Sequence, residues 1–394
     1  MCHPALAATA RVIALLTAVS ALGSLATSIY LPSMPAIGAA LLASPAAVQH
    51  TLTAYLAAFA TGQLLCGPLS DRFGRRRVMF AGFVAYVGGS LACALATSLE
   101  LLIAARIMQA VGASSGIVVA RAMVRDAFDG AQITKVLAAL TAASAAVPAA
   151  APLVGGVLEE VFAWRATFLA AAAIGLLVAV LALRNLPETN RQPLPRLKAV
   201  DVLQGYLSVA RLPHFLGCAA ISASAFGALF AFFSGSPHVV INILGIAPAA
   251  YGLYPPVAVI GFALGGVLTS RLAGRMRERQ LLAIGLALML SGAATMPFSV
   301  TRPIGIALSM FVFAAGMSVL GPVCTAAAIR PFADRAGTAA ALLGFMQMVA
   351  GALGSAIAAA LQPFGIQAFP LTMLGMMGIG ALVFLGFRRR MDLR

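Results

Sequence analysis

Long apolar runs alternate with short polar or Gly/Pro-rich stretches along the whole 394-residue chain. A helix needs about 20 such residues to cross roughly 30 Å of hydrocarbon. The pattern predicts twelve spans, at 12–37, 46–70, 77–97, 100–121, 133–158, 164–184, 212–234, 248–270, 280–298, 303–328, 337–361 and 368–387. Some starts carry local signals. Ser44-Pro45 offers an N-cap and a first-turn proline, and Ser98 with Glu100 opens the fourth span in the same way. The first run comes after Arg11 and continues to about Ile37, longer than a secretory core, so a retained first helix is expected.

The connectors are polar in an ordered way. With the N-terminus cytosolic, every basic residue but Arg106, Arg165 and Arg302 falls in an inside connector or tail. These include Arg72, Arg75, Arg76 and Arg77, then Arg184 to Arg211, and finally Arg388, Arg389, Arg390 and Arg394. The positive-inside rule therefore predicts an even number of spans with both termini in the cytosol. The longest polar connector, 185–211, divides the chain into 1–184 and 212–394 with six spans each. Gly67-Pro68-Leu69-Ser70-Asp71-Arg72 finds an echo half a chain later in Gly266-Val267-Leu268-Thr269-Ser270-Arg271. Two related six-helix bundles are expected, an all-α polytopic membrane protein.

Composition narrows the classes further. Apolar residues make up 61% of the chain, only 9% are charged, and mean hydropathy is +0.99. Lipid is the expected solvent. The net charge of +15 sits in connectors rather than on a basic face, which argues against nucleic acid. Lys135 and Lys198 are the only lysines, as in a GC-rich bacterial genome. The five cysteines show no pairing or metal spacing, and His3, His50, His214 and His238 form no HExxH pattern. No phosphate-binding glycine loop is present. Neither an enzyme, nor a metal site, nor a cofactor is expected.

Specific motifs sharpen the class. Gly67-Pro68-Leu69-Ser70-Asp71-Arg72-Phe73-Gly74-Arg75-Arg76-Arg77 resembles the signature inter-helix loop of the major facilitator superfamily. Tyr30-Leu31-Pro32-Ser33-Met34-Pro35 resembles the end of the first helix in drug:proton antiporters. The stretch from Leu102 to Ser114, with Arg106, Gln109 and Gly112, is similar to their fourth-helix motif, with Ala110 where glycine is common. Ala151-Pro152-Leu153-Val154-Gly155-Gly156 resembles the fifth-helix antiporter motif, with Ala151 in place of glycine. Ser236-Pro237, Leu244 to Pro248 and Ala336 to Leu342 with Gln347 look like the bicyclomycin- and chloramphenicol-resistance branch of 12-helix exporters.

Several residues carry mechanism. Asp71 can meet Arg75 and the positive start of the eleventh helix near Gly337, and Asp126 can pair with Arg75. With Arg72 and Gly74 they form an expected charge latch holding the two bundles together in the outward-facing state. Arg106 lies roughly 12 Å into the fourth span, where a cation must face the bundle interior or water. It either orients substrate or senses the protonation of a nearby group, or else it holds a neighbouring helix's carbonyls. Pro152 with Gly155 and Gly156 marks either a flexible point at the cytosolic closure or a packing kink. Tyr30, Tyr55, Gln63, Gln109, Phe226, Phe230 and Gln347 lie on helices that face the cavity, aromatic surface suited to flat amphipathic molecules. Related exporters place a carboxylate in the first helix where this chain has Ser28.

The resemblance implies a secondary multidrug exporter in a bacterial inner membrane, monomeric and proton-coupled, carrying chloramphenicol- or bicyclomycin-like compounds by alternating access. A permease for an endogenous amino acid or sugar derivative is the other reading. All 11 acids fall in loops or at span ends, so proton coupling lacks its usual carrier. Glu100, Asp126 or a group on the substrate could take that part.

Overall fold

A computed structural model describes residues 10–128, 131–190, 199–272 and 275–387. Cys2, His3, Asp129, Arg191, Arg196, Lys198, the arginines at 388–390 and 394, and Asp392 lie outside the described residues. The described chain is helical, with no strand. Twelve long helices are α1 Ala10–Ser28, α2 Pro45–Phe73, α3 Arg75–Ala94, α4 Leu99–Ala127, α5 Ala131–Phe162 and α6 Arg165–Asn185, then α7 Pro213–Pro237, α8 Tyr254–Leu272, α9 Glu278–Ser299, α10 Pro303–Ile329, α11 Ala336–Ala360 and α12 Ala368–Phe387. Eleven segments of the described residues are long and apolar enough to cross a membrane, and α5 covers the remaining expected span.

Sequence chemistry accounts for the helix ends. Ser44 and Ser98 accept hydrogen bonds from Ala47 N (3.2 Å) and Leu101 N (3.3 Å), capping α2 and α4 as expected. Gly74, at φ +97°, makes the corner between α2 and α3 that other residues resist. Proline moves other boundaries. The first span does not run on unbroken to Ile37. Instead α1 stops at Ser28, and Pro32 and Pro35 divide the next stretch into a 3₁₀ turn, Leu31–Ser33, and a short helix, Met34–Ala40. After Pro237, α7 continues as a π-turn, His238–Ile243, and a short helix, Pro248–Tyr251, precedes α8. The polar connector 185–211 contains a helix, Ala199–Ala210.

Leucines, isoleucines and phenylalanines such as Leu176, Leu177, Ile260, Leu264, Leu382 and Leu385 point outward. A ring of apolar side chains on a helical protein is a lipid-facing surface. The chain is a multi-pass membrane protein. Helix contacts fall mostly within α1–α6 and within α7–α12; α2 with α11 and α5 with α8 pack across. Small residues permit the approach. A Cβ at Gly354 would sit 2.0 Å from the Gly227 carbonyl oxygen, fixing α11 against α7.

Candidate transport site

Two buried arginines organise the first six helices. Arg75 opens α3 at the arginine-rich face. Its Nε donates to Asp126 (2.9 Å), its Nη1 donates to Ser70 Oγ (2.7 Å), and Asp71 forms an ion pair with it. Asp71, Arg75 and Asp126 therefore come together as the sequence predicts. The partner of Asp71 is Arg75; no hydrogen bond joins its carboxylate to α11 among the described residues. The neighbour of Gly337 is instead Arg125, whose Nη1 would lie 2.5 Å from a Cβ added there. Arg72 is exposed and stacks on Phe73, its guanidinium 5.0 Å from the ring centre.

Arg106 stands in the middle of the bundle and is completely buried. Its Nη1 donates to Ala26 O (2.9 Å) on α1 and to Gln109 Oε1 (2.6 Å). The guanidinium lies between the rings of Tyr30 and Tyr55, 4.2 Å from each centroid. Such contacts are worth about 2 kcal/mol or more when desolvated. Gln109 donates to Ser90 Oγ (2.8 Å) on α3, Tyr55 donates to Gly23 O (3.3 Å), and Tyr30 meets Thr51 (3.4 Å). The cage is therefore rigid. Among the described residues, its Nε and Nη2 nevertheless have no hydrogen-bond partner, and no carboxylate pairs with it. Ser28 lies on α1 between Ala26 and Tyr30, buried, with its Oγ unpartnered among the described residues.

The facing half supplies a second, aromatic group. Phe226 and Phe230 lie 6.5 Å apart on α7, and Phe230 packs on Gly351 of α11. Gln347 of α11 donates to Ser222 Oγ (2.8 Å). Gln63 of α2 reaches Gly344 of α11 with a buried, unpartnered Oε1. The fifth-helix motif sits elsewhere than expected. Gly155 and Gly156 lie at the end of α5 opposite the arginine-rich face, not at a cytosolic closure. A Cβ at Gly155 would be 1.8 Å from Ile29 O, and one at Gly156 would be 2.3 Å from Pro248 O. Pro152 lies in the same contact, its carbonyl 2.9 Å from a Cβ at Gly252. Glu160 adds a bond across this junction, accepting from Ala249 N (2.9 Å).

Residues 16–355 match the family model described as Major Facilitator Superfamily. The chain belongs to that superfamily. It is similar to a chloramphenicol resistance protein of Pseudomonas aeruginosa, 33% identical over 84% of this chain and 80% of that one. A bicyclomycin resistance protein homologue of Haemophilus influenzae is 29% identical, covering 84% of this chain and 85% of the relative. Among solved structures, the peptide transporter POT in complex with sulfate superposes with a TM-score of 0.79 at 15% identity, over 96% of this chain and 94% of that one. The fold is thus the major facilitator fold, and the protein is a transporter rather than an enzyme.

One group of this superfamily member is not evident from sequence. Glu188, beyond the end of α6, accepts from Arg75 N (2.9 Å) and Arg76 N (3.0 Å) and so caps α3. Thr189 donates to Asp126 Oδ2 (3.0 Å), and Asn190 donates to Asp71 O (2.8 Å). This three-residue strap closes over the Arg75 cluster. Leu186-Pro187-Glu188-Thr189, a helix stop with an acid directly after it, is the signal that could have found it.

Proposed function

We propose that this protein is a secondary exporter of small amphipathic compounds of the chloramphenicol or bicyclomycin kind, working by alternating access. Its cargo is uncharged and carries acceptor oxygens. One observation carries this reading: Arg106 is a fixed cation at depth, with two unpartnered N–H-bearing nitrogens and no carboxylate beside it among the described residues. An arginine keeps its charge at any working pH. The potential of the pocket is therefore positive, which repels cationic dyes and favours a nitro, carbonyl or hydroxyl oxygen. Tyr30, Tyr55, Phe226 and Phe230 offer flat apolar surface, and Gln109, Gln347 and Ser28 offer polar handles. The similarity to the Pseudomonas aeruginosa chloramphenicol resistance protein supports the same cargo class.

In this reading the chain works as a monomer in a bacterial inner membrane with both termini in the cytosol, and residues 1–184 and 212–394 form bundles joined by 185–211. Asp71, Arg72, Gly74, Arg75 and Asp126, strapped by residues 188–190, brace the cytosolic face, while Pro152, Gly155 and Gly156 let the bundles close on the outer face. Protons drive export. With Ser28 in the first helix, Glu100 and Asp126 at opposite ends of α4 are the carriers this scheme assigns.

Efflux of labelled chloramphenicol and of ethidium from right-side-out vesicles tests the proposal, with and without an imposed pH gradient. Gradient-driven loss of chloramphenicol alone is expected. Preferential export of ethidium overturns the cargo assignment, and export indifferent to the gradient overturns the coupling.

A further inference from the structure

A cavity lies on the face opposite the arginine-rich connectors. It has a volume of about 330 Å³ and sits where the two sets of helices meet. Ligand sites begin at about this size. One wall is the hairpin between α1 and α2, with Met34, Leu42 and Val48; the other is the end of α7 and its π-turn. Three features set the place apart from ordinary loop packing.

The π-turn His238–Ile243 is a rare geometry found mainly at functional positions. Leu42, at the rim, holds a left-handed φ of +52° while 96% exposed. A non-glycine residue in that region is uncommon, and here it follows the helix Met34–Ala40. Third, Gln49 lines the cavity at 1% exposure with its Oε1 unpartnered among the described residues, while its Nε2 donates to Gln362 (3.2 Å).

The hydrogen-bonding character of the walls is set by their partners. Gln49 brings an unsatisfied acceptor. Ser234 accepts from Ser355 (3.0 Å), and its own hydroxyl proton has no acceptor among the described residues. The Asn242 amide nitrogen meets His238 Nδ1 (3.2 Å). Among the described residues, no Asp, Glu, Lys or Arg side chain lines the cavity.

We infer that this cavity is an external binding site for an uncharged small molecule that pairs an apolar body with both a hydroxyl or amide donor and an acceptor. It rests on the export reading in one respect: the occupant is cargo on its way out, held after it has passed Arg106. A charged compound finds no counter-ion there. A neutral one satisfies Gln49 and the Ser234 hydroxyl and reaches the His238–Asn242 pair while covering Met34, Leu42 and Val48.

The test uses the full chain in nanodiscs without any ion gradient, in a Cys2→Ser background; Cys66, Cys93, Cys218 and Cys324 are buried. An Asn242→Cys variant places a reactive thiol in the cavity. A Phe298→Cys variant places one on the same face outside it, at a position 89% exposed. Chloramphenicol should slow maleimide labelling of the first about tenfold and leave the second unchanged, and ethidium should slow neither. Gln49→Leu should raise the chloramphenicol concentration needed for protection about tenfold. No slowing at position 242, equal slowing at both positions, or protection by ethidium overturns the site. Because binding is read without transport, protection in a chain that fails to export chloramphenicol leaves the cavity standing and removes the export reading. Export without protection does the reverse.

Discussion

The two buried arginines of the first six helices are held in opposite ways. Arg75 meets two carboxylates, a serine hydroxyl and a strap from beyond α6. Arg106, on the neighbouring helix α4, meets a carbonyl, an amide oxygen and two aromatic faces, with two nitrogens left over. The first arrangement leaves no cation uncompensated, so it braces a membrane-face corner. The second keeps an uncompensated charge inside a rigid cage, an arrangement that stability alone does not favour. On the proposed export reading, the contrast separates a cation that holds the protein together from one assigned to cargo.

The largest expected effect breaks the second arrangement. Arg106→Met keeps the volume and removes the buried charge. Transport should fall roughly 100-fold, a loss of about 2.7 kcal/mol of driving interaction. Thermal stability in detergent should hold or rise, because an unpaired buried charge has been removed. A variant that transports normally refutes the assigned role of Arg106. Arg75→Ala should behave in the opposite sense. It strands Asp71 and Asp126, and partial exposure of both limits the cost to about 2 kcal/mol. Melting temperature should drop clearly while residual transport persists in the folded fraction.

This contrast also marks what the sequence disclosed. Asp71, Arg75 and Asp126 were legible because oppositely charged residues at helix ends stand out in a chain with 9% charge. The depth of Arg106 was legible from its place in the fourth apolar run. Its tyrosine sandwich was not, since periodicity gives a residue's depth and face but not which side chains from α1 and α2 will close on it. Glu188 was hidden for a related reason. It caps a helix that begins more than a hundred residues earlier, and nothing local to Leu186–Asn190 announces that partner. The broken end of α1 was marked by Pro32 and Pro35, yet hydropathy runs straight through them, so the limit set for the first span by apolar content overran.

The comparison can be sharpened by making the second arginine resemble the first. Ser28→Asp places a carboxylate on the stretch of α1 between Ala26, which Arg106 grips, and Tyr30, on which it stacks. Pairing with Arg106 compensates the buried cation. Chloramphenicol export should weaken at neutral pH, because the free nitrogens are now occupied. Unchanged export together with unchanged stability places Ser28 out of reach of Arg106.

The smallest effect concerns the strap. Glu188→Gln retains one acceptor oxygen for Arg75 N or Arg76 N, but it removes the second carboxylate oxygen and the negative charge at the start of α3. A charge at a helix N-terminus is worth typically about 0.3–1 kcal/mol, somewhat more when partly buried. Melting temperature should therefore fall by less than in Arg75→Ala. In the double variant the two losses should fall short of their sum, because both residues brace the same corner. Full additivity makes Glu188 an independent cap, and the strap then has no part in holding Arg75. A coupling of several tenths of a kcal/mol or more ties residues 188–190 to the brace, so that the connector after α6 reports directly on the state of the Arg75 corner.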